Sequence, residues 1–206
     1  MKKYLVIGNP IDHSLSPELH NYWIKKNNIN AIYEKQKLSN IDLQNFILKI
    51  KKKEIYGANV TVPFKHKIIS YLDELSKEAS ITRSVNTIYL SNNKVVGHNT
   101  DISGFELALK DIQFKVSGKK IFILGAGGVV PSIIYALNKI KVSSIFLSNR
   151  TKSKAENLKN LFNNLKIINW GEMTDFDMII NATSIGLNQD ENINLDFSKL
   201  NKNKFF

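Results

Sequence analysis

Three short clusters in the first half of the chain carry most of the side chains that could do chemistry. His13-Ser14-Leu15-Ser16-Pro17 presents two hydroxyls, Ser14 and Ser16, where a helical pattern begins. In Asn59-Val60-Thr61-Val62-Pro63-Phe64-Lys65, strand alternation sends Asn59 and Thr61 to one face, and Pro63 stops the strand so that Lys65 emerges beside them. Asn86-Thr87 lies on a further strand, with Asn99-Thr100-Asp101 beyond a hairpin. Uncharged hydroxyls and amides in such number suit a polyhydroxylated ligand, and Lys65 with Asp101 adds acid–base capability. Plainer readings stand beside these. Ser14 or Ser16 alone would serve as a helix cap, and Lys65 with Asp101 would form a structural ion pair.

The second half holds a different kind of signal. Ile121 to Leu124 is an apolar run that leads into Gly125-Ala126-Gly127-Gly128-Val129 and then a helical pattern. A strand, a glycine turn and a helix start let the backbone turn tightly, approach a pyrophosphate and offer it the helix's free amides. Val130 stands where a third glycine or another small residue is usual. Asn149, 24 residues after Gly125, ends the next strand, where a dinucleotide-binding fold reads the adenosine ribose. An acidic residue there would accept the ribose 2′-hydroxyl. The sequence instead reads Ser148-Asn149-Arg150-Thr151, with Lys154 one turn on. Arginine's planar fork matches a phosphate, and Thr151 can cap the helix while donating its hydroxyl, which points to NADP rather than NAD. A solvated helix start is the alternative for these residues.

The elements that must position these groups alternate between strand and helix, the mark of an α/β protein. Strands are expected at Tyr4–Ile7, Ala31–Leu38, Ile55–Val62, and in a hairpin of Val85–Leu90 with Lys94–Val96 around Ser91-Asn92-Asn93. Helices are expected from Pro17, with Leu19, Tyr22 and Trp23 at helical spacing, and over Asp42–Lys53, with Leu43, Phe46, Ile47 and Ile50 on one face. A helix starts after Asp101 and runs toward Ile112, and Ser117-Gly118-Lys119-Lys120 marks a break. Beyond it come strands at Ile121–Leu124, Val142–Ser148, Lys166–Asn169 and Asp177–Asn181, and helices to about Ile140 and over Lys152–Leu165. The expected organisation is a substrate-binding catalytic domain over 1–101 and a Rossmann-like NADP-binding domain over 102–206.

Composition removes several function classes. The chain has 206 residues, 43% hydrophobic and 23% charged, and no cysteine, so disulfides, thiolate zinc sites and cysteine nucleophiles are excluded. No apolar run approaches the roughly 20 residues needed to span a bilayer, and the apolar stretch after Met1-Lys2-Lys3 is too short for a signal peptide, so a cytoplasmic protein is expected. The net charge of +11 invites a nucleic-acid reading. Only Arg83 and Arg150 among the 29 basic residues are arginines, and the lysines are scattered, with Lys51-Lys52-Lys53 ending a helix. Arginine dominates base-specific and bidentate phosphate contacts, so no nucleic-acid or membrane partner is expected.

The motifs together resemble the shikimate dehydrogenase family. The matching pieces are Gly8-Asn9-Pro10-Ile11 through Ser16-Pro17, His20-Asn21, Asn59 through Lys65, Val85-Asn86-Thr87 and Gly97-His98-Asn99-Thr100-Asp101. They continue with Gly125 to Gly128, Asn149-Arg150-Thr151 and Asn181-Ala182-Thr183-Ser184, in family order. The resemblance implies NADPH-dependent reduction of 3-dehydroshikimate to shikimate by a monomer or homodimer. It implies that Ser14, Ser16, Asn59, Thr61 and Asn86 bind the substrate, and that Lys65 and Asp101 form the catalytic pair at its C3 hydroxyl. Gly125 through Val129, Asn149, Arg150, Thr151 and Lys154 would hold the cofactor, with Thr183 and Ser184 near its nicotinamide.

Three departures from the family stand out. Arg83-Ser84 replaces the usual Gly-Ala, placing a bulkier side chain beside the substrate strand. Val129-Val130-Pro131 replaces small residues and a basic one, leaving the 2′-phosphate to Arg150 and Lys154. The family also continues beyond the position of Phe206, through a strand and a helix that packs back on the first domain. The nucleotide domain is therefore expected to be incomplete at its C-terminal end. The alternatives are an NAD-dependent quinate/shikimate dehydrogenase and a truncated, non-catalytic shikimate- or nucleotide-binding protein.

Overall fold

A computed structural model describes residues 1–112, 114–186, 193, 195–198 and 204–205. The chain divides into two units, Met1–Asp101 and Ile102–Phe206, each with its own sheet and core.

In the first unit, β1 (Lys2–Gly8) is followed by α1 (Ser16–Lys26), β2 (Ala31–Lys37), α2 (Leu43–Lys51) and β3 (Gly57–Val60). Two short helices, α3 (Phe64–Lys67) and α4 (Lys77–Thr82), flank the two-residue β4 (Glu74–Leu75). The hairpin of β5 (Thr87–Ser91) and β6 (Lys94–His98) follows. These strands form one sheet in the order β2-β1-β3-β5-β6-β4, parallel from β2 to β3 and antiparallel through the hairpin. β1 pairs with neighbours on both edges, and it is covered on both faces, Leu5 and Ile7 packing into one core and Val6 into another with Ile11 and Tyr33. On α2, Leu43, Phe46, Ile47 and Ile50 bury one stripe against the same core as Leu5 and Ile7, as their spacing requires. The α1 pattern behaves differently. Leu19, Tyr22 and Trp23 are 49%, 60% and 47% exposed, so their helical spacing marks a helix and not a core face.

The second unit opens with α5 (Asp101–Asp111), whose first residue still belongs to the first unit. Then come β7 (Lys120–Leu124), α6 (Val130–Ile140), β8 (Ser144–Ser148), α7 (Lys152–Leu161), β9 (Leu165–Ile168) and β10 (Met178–Asn181). The sheet is parallel in the order β10-β7-β8-β9. Ile121, Phe122, Ile123 and Leu124 are all buried, as a central parallel strand covered on both faces demands. The chain steps from β7 to β8 and β9 on one side and returns to β10 on the other. The carboxyl ends of β7 and β10 therefore flank a topological switch point, where open α/β sheets bind ligands.

Several boundaries differ from the sequence expectation. β3 ends at Val60, and Lys65 lies in the single turn of α3 instead of following directly from a strand. Elements as short as α3, α4 and β4 leave no periodic signature. Arg83 lies at the end of α4, just before Asn86 and the strand that Thr87 opens. It is exposed and closes α4 at φ +50°, in the left-handed region that glycine occupies freely. Val130 is fully buried against Ile121, Ile134 and Leu147, so it packs the helix on the sheet in place of a third glycine.

Candidate active site

The polar side chains of the first unit are joined across the sheet. Cross-strand register sets Asn59 of β3 opposite Thr87 of β5. Asn59 Nδ2 donates to Thr87 Oγ1 and to the Asn86 carbonyl, each at 3.2 Å, and Thr87 Oγ1 donates to Asn86 Oδ1 at 3.0 Å. Asn86 Nδ2 then donates to Asp101 Oδ1 at 2.8 Å and to Thr100 Oγ1 at 2.9 Å. The other Asp101 oxygen receives Lys65 Nζ at 2.6 Å, with side chains 13% and 20% exposed, enclosed yet still open to a ligand.

Local structure fixes both members of this ion pair. α3 is tied to the sheet by Val85 N donating to the Lys65 carbonyl at 2.8 Å, which holds Lys65 over the start of β5. Asp101 opens α5, and its N–H donates to Asn99 Oδ1 at 3.0 Å. Asn99 is itself buried, its Nδ2 donating to the Ser84 carbonyl at 2.8 Å. A buried amide thus orients the residue that carries the carboxylate.

Ser14, Ser16 and Thr61 stand apart from this network, with no side-chain hydrogen bond to it among the described residues. Ser16 N donates to Ser14 Oγ at 3.4 Å, and both serines are half-buried at the start of α1, whose cap position is Leu15 without a side-chain cap bond. Thr61 N donates to the Ile7 carbonyl at 2.9 Å, and its methyl lies so close to Gly8 that a Cβ there would come within 2.6 Å. A glycine at position 8 is what lets the ends of β1 and β3 approach.

In the second unit, backbone shape dominates. Gly125 has φ +107°, and a Cβ on it would lie 2.6 Å from the Ala182 carbonyl oxygen. The turn from Gly125 to Val129 leads into α6, with Val129 at the cap position and Pro131 in the first turn. Behind it, Asn181 organises the loop after β10. Its Oδ1 accepts from Thr183 N at 3.0 Å and from Thr183 Oγ1 at 2.7 Å. Ser184 beside it is exposed.

At the end of β8, buried Ser148 donates to the Asn169 carbonyl at 3.2 Å, and Asn149 Nδ2 donates to the Thr151 carbonyl at 2.8 Å. Thr151 holds the cap position of α7 but makes no side-chain cap bond, contrary to the sequence expectation. Its hydroxyl has no hydrogen-bond partner among the described residues. Arg150, Thr151 and Lys154 are exposed, and Arg150 has no side-chain partner among the described residues. A dinucleotide with a 2′-phosphate fits this end of the unit. The turn admits no side chain at Gly125, and a free guanidinium, hydroxyl and ammonium stand at the neighbouring strand end.

Sequence reading passed over Tyr33, whose hydroxyl donates to Asn59 Oδ1 at 2.6 Å. It also left Thr87 and Thr100 unassigned although both stood in its clusters. Hydroxyls flanking Asn86 could have signalled those two. Nothing in β2 signals Tyr33.

A parallel sheet that changes direction at a glycine turn defines a dinucleotide-binding α/β protein. Comparison with known proteins narrows this. Residues 6–88 match the shikimate dehydrogenase substrate binding domain, and residues 106–194 match shikimate / quinate 5-dehydrogenase. A shikimate dehydrogenase (NADP(+)) of Pelagibacter ubique is 58% identical over 205 residues, covering 100% of this chain and 77% of that protein. The crystal structure of shikimate dehydrogenase from Aquifex aeolicus superposes with a TM-score of 0.91 at 37% identity, covering 99% of this chain and 77% of that one. Shikimate 5-dehydrogenase from Thermus thermophilus, solved in complex with NADP(H) and shikimate, superposes at 0.81 with 29% identity, over 91% of this chain and 70% of that one. The chain belongs to the shikimate dehydrogenase family.

Proposed function

We propose that this chain is an NADP-dependent shikimate dehydrogenase, interconverting 3-dehydroshikimate and shikimate in aromatic amino acid biosynthesis. The observation that carries the reading is the Lys65–Asp101 ion pair, 2.6 Å long, at the end of a hydrogen-bonded row of amides and hydroxyls. Lys65 has three N–H donors and gives one to Asp101, which leaves two for a substrate oxygen. In the oxidation direction the pair takes the proton of the C3 hydroxyl, and in reduction it returns a proton to the carbonyl oxygen. NADP, when bound, supplies the hydride acceptor.

Asn59 and Asn86 hold the ring by its hydroxyls, and Ser14, Ser16 and Thr61 complete the contacts to hydroxyls and carboxylate. Gly125, Ala126, Gly127, Gly128 and Val129 cradle the pyrophosphate, and Asn149, Arg150, Thr151 and Lys154 hold the adenosine 2′-phosphate. Thr183 and Ser184 sit toward the nicotinamide. In this reading residues 1–101 are the substrate-binding catalytic domain and residues 102–206 the NADP-binding domain. A cytoplasmic location and a monomeric or homodimeric state belong to the same proposal. No helix among the described residues is long and apolar enough to cross a membrane.

Replacing Lys65 tests the catalytic pair. Lys65→Ala lowers kcat for shikimate oxidation by roughly 10²- to 10⁴-fold, the usual weight of a positioned acid–base group. NADP affinity, read by fluorescence titration, stays within twofold. A parallel loss of both would show that Lys65 supports the fold and not the reaction.

A further inference from the structure

The polar row of the first unit has a direction, and the end of it farthest from the Lys65–Asp101 pair is Tyr33. The Thr100 N–H can only donate, and it reaches Asn86 Oδ1 at 2.9 Å. The Asp101 carboxylate accepts from Asn86 Nδ2 at 2.8 Å. The Asn86 amide therefore has one orientation. Its Oδ1 accepts the Thr87 hydroxyl hydrogen at 3.0 Å, which leaves the Thr87 oxygen to accept in turn. The hydrogens that reach it, and the Asn86 carbonyl, come from Asn59 Nδ2.

The Asn59 amide is thereby oriented as well, with both hydrogens committed and Oδ1 turned toward Tyr33. The Tyr33 hydroxyl donates to that oxygen at 2.6 Å. Tyr33 is 5% exposed, and burial pushes its hydroxyl far above the usual tyrosine range, so it stays a donor throughout the working pH range. Its backbone is pinned separately. Asn21 on α1 donates to the Tyr33 carbonyl at 2.7 Å and accepts from its N–H at 2.9 Å, and His20 stacks on the ring at 4.2 Å. The hydroxyl can thus be removed without freeing the ring.

We propose that Tyr33 is a positioning residue for the substrate. It holds Asn59 Oδ1 from the side opposite Asn86 and Thr87 and so restricts the amide's swing, and a polyhydroxylated ligand meets a row already aligned from β2 to the Lys65–Asp101 pair. The inference rests on the reading of Asn59 as a substrate ligand. Without the hydroxyl, Asn59 Oδ1 loses its donor, and the amide is held on one side only, by its two 3.2 Å bonds to the Asn86 carbonyl and Thr87, so it swings more widely about the position the substrate must meet.

Tyr33→Phe raises KM for shikimate about three- to tenfold, the worth of one hydrogen bond, with KM for NADP unchanged. In an Asn59→Ala background the same substitution changes KM for shikimate by less than about twofold, a coupling that general loosening of the sheet would not produce. A second readout needs no substrate. In the ligand-free chain, the Asn59 side-chain amide protons, followed by ¹⁵N NMR, exchange with solvent about tenfold faster in Tyr33→Phe. Equal KM penalties in both backgrounds, or an Asn59 amide indifferent to the substitution, overturn the proposal. A wild-type chain that does not oxidise shikimate, yet whose Asn59 amide responds as described, would overturn the functional reading and leave the positioning of Asn59 by Tyr33 standing.

Discussion

In the first unit four of the candidate ligand-binding side chains, Asn59, Asn86, Asp101 and Lys65, are tied to one another, with Tyr33 and Thr87 in the same row. In the second unit Arg150, Thr151 and Lys154 stand exposed, and the turn beside them is shaped by backbone at Gly125 and Ala182. The two arrangements suit two kinds of ligand. A small ring bearing several hydroxyls is distinguished by where its donors and acceptors fall, so the side chains that meet it must be aligned beforehand. A dinucleotide offers a charged pyrophosphate and one distinguishing phosphate. Helix amides and a free arginine recognise these without a fixed side-chain lattice. Substitutions in the first unit should therefore disturb geometry through neighbours, and substitutions at the exposed cations should change affinity alone.

Gly125 is where the comparison breaks most sharply, because the nucleotide site depends there on backbone and not on side chains. Gly125→Ala forces a Cβ toward the Ala182 carbonyl at a positive φ, costing at least about 2 kcal/mol. That corresponds to a fall of roughly 8–16 °C in the melting of this unit, with NADP affinity down more than about tenfold. Wild-type melting and affinity in this variant would contradict the cradle. A smaller effect sharpens the contrast. Arg150→Ala weakens NADP by about 10- to 100-fold and leaves NAD within twofold, because a charge-assisted bond to the 2′-phosphate is all it removes. Equal weakening of the two, in paired titrations, would refute the 2′-phosphate assignment.

The smallest effect lies in the first unit. Burial lowers the pKa of His20 from 6.5, so as the pH falls the ring stacked on Tyr33 is protonated later in the folded chain than in the unfolded one. The stability His20 contributes is intact above pH 6.5 and is lost as the pH falls toward the folded value. Urea midpoints at about pH 7.5 and about pH 5.5 should differ less in His20→Phe than in the wild type. The same difference in both proteins would show that His20 is not the group responsible.

The legibility of the sequence follows the same divide. From β7 to β8 the elements could be read almost to the residue, since a continuous apolar run, a glycine turn and an amphipathic helix each carry a strong local signal. The Asn59, Asn86, Lys65 and Asp101 cluster was legible as a set of types, and the motif resemblance tied it together. The one-turn helix under Lys65 was not, because four residues cannot display a helical period. Tyr33 was not either. It meets Asn59 across 26 positions of sequence, and in β2 it reads as one more aromatic strand residue. The expected side-chain cap at Thr151 failed for a related reason, since occupying the cap position does not oblige the hydroxyl to turn inward. The apolar spacing of α1 identified a helix without saying that Leu19, Tyr22 and Trp23 stay exposed.

The central claim is tested most directly by following reduced nicotinamide absorbance as this 206-residue chain oxidises shikimate, with NADP and separately with NAD. The expected result is turnover with NADP at a kcat/KM at least about tenfold above that with NAD, the worth of the Arg150 contact. A folded chain that turns over shikimate with neither cofactor, or equally well with both, would contradict it.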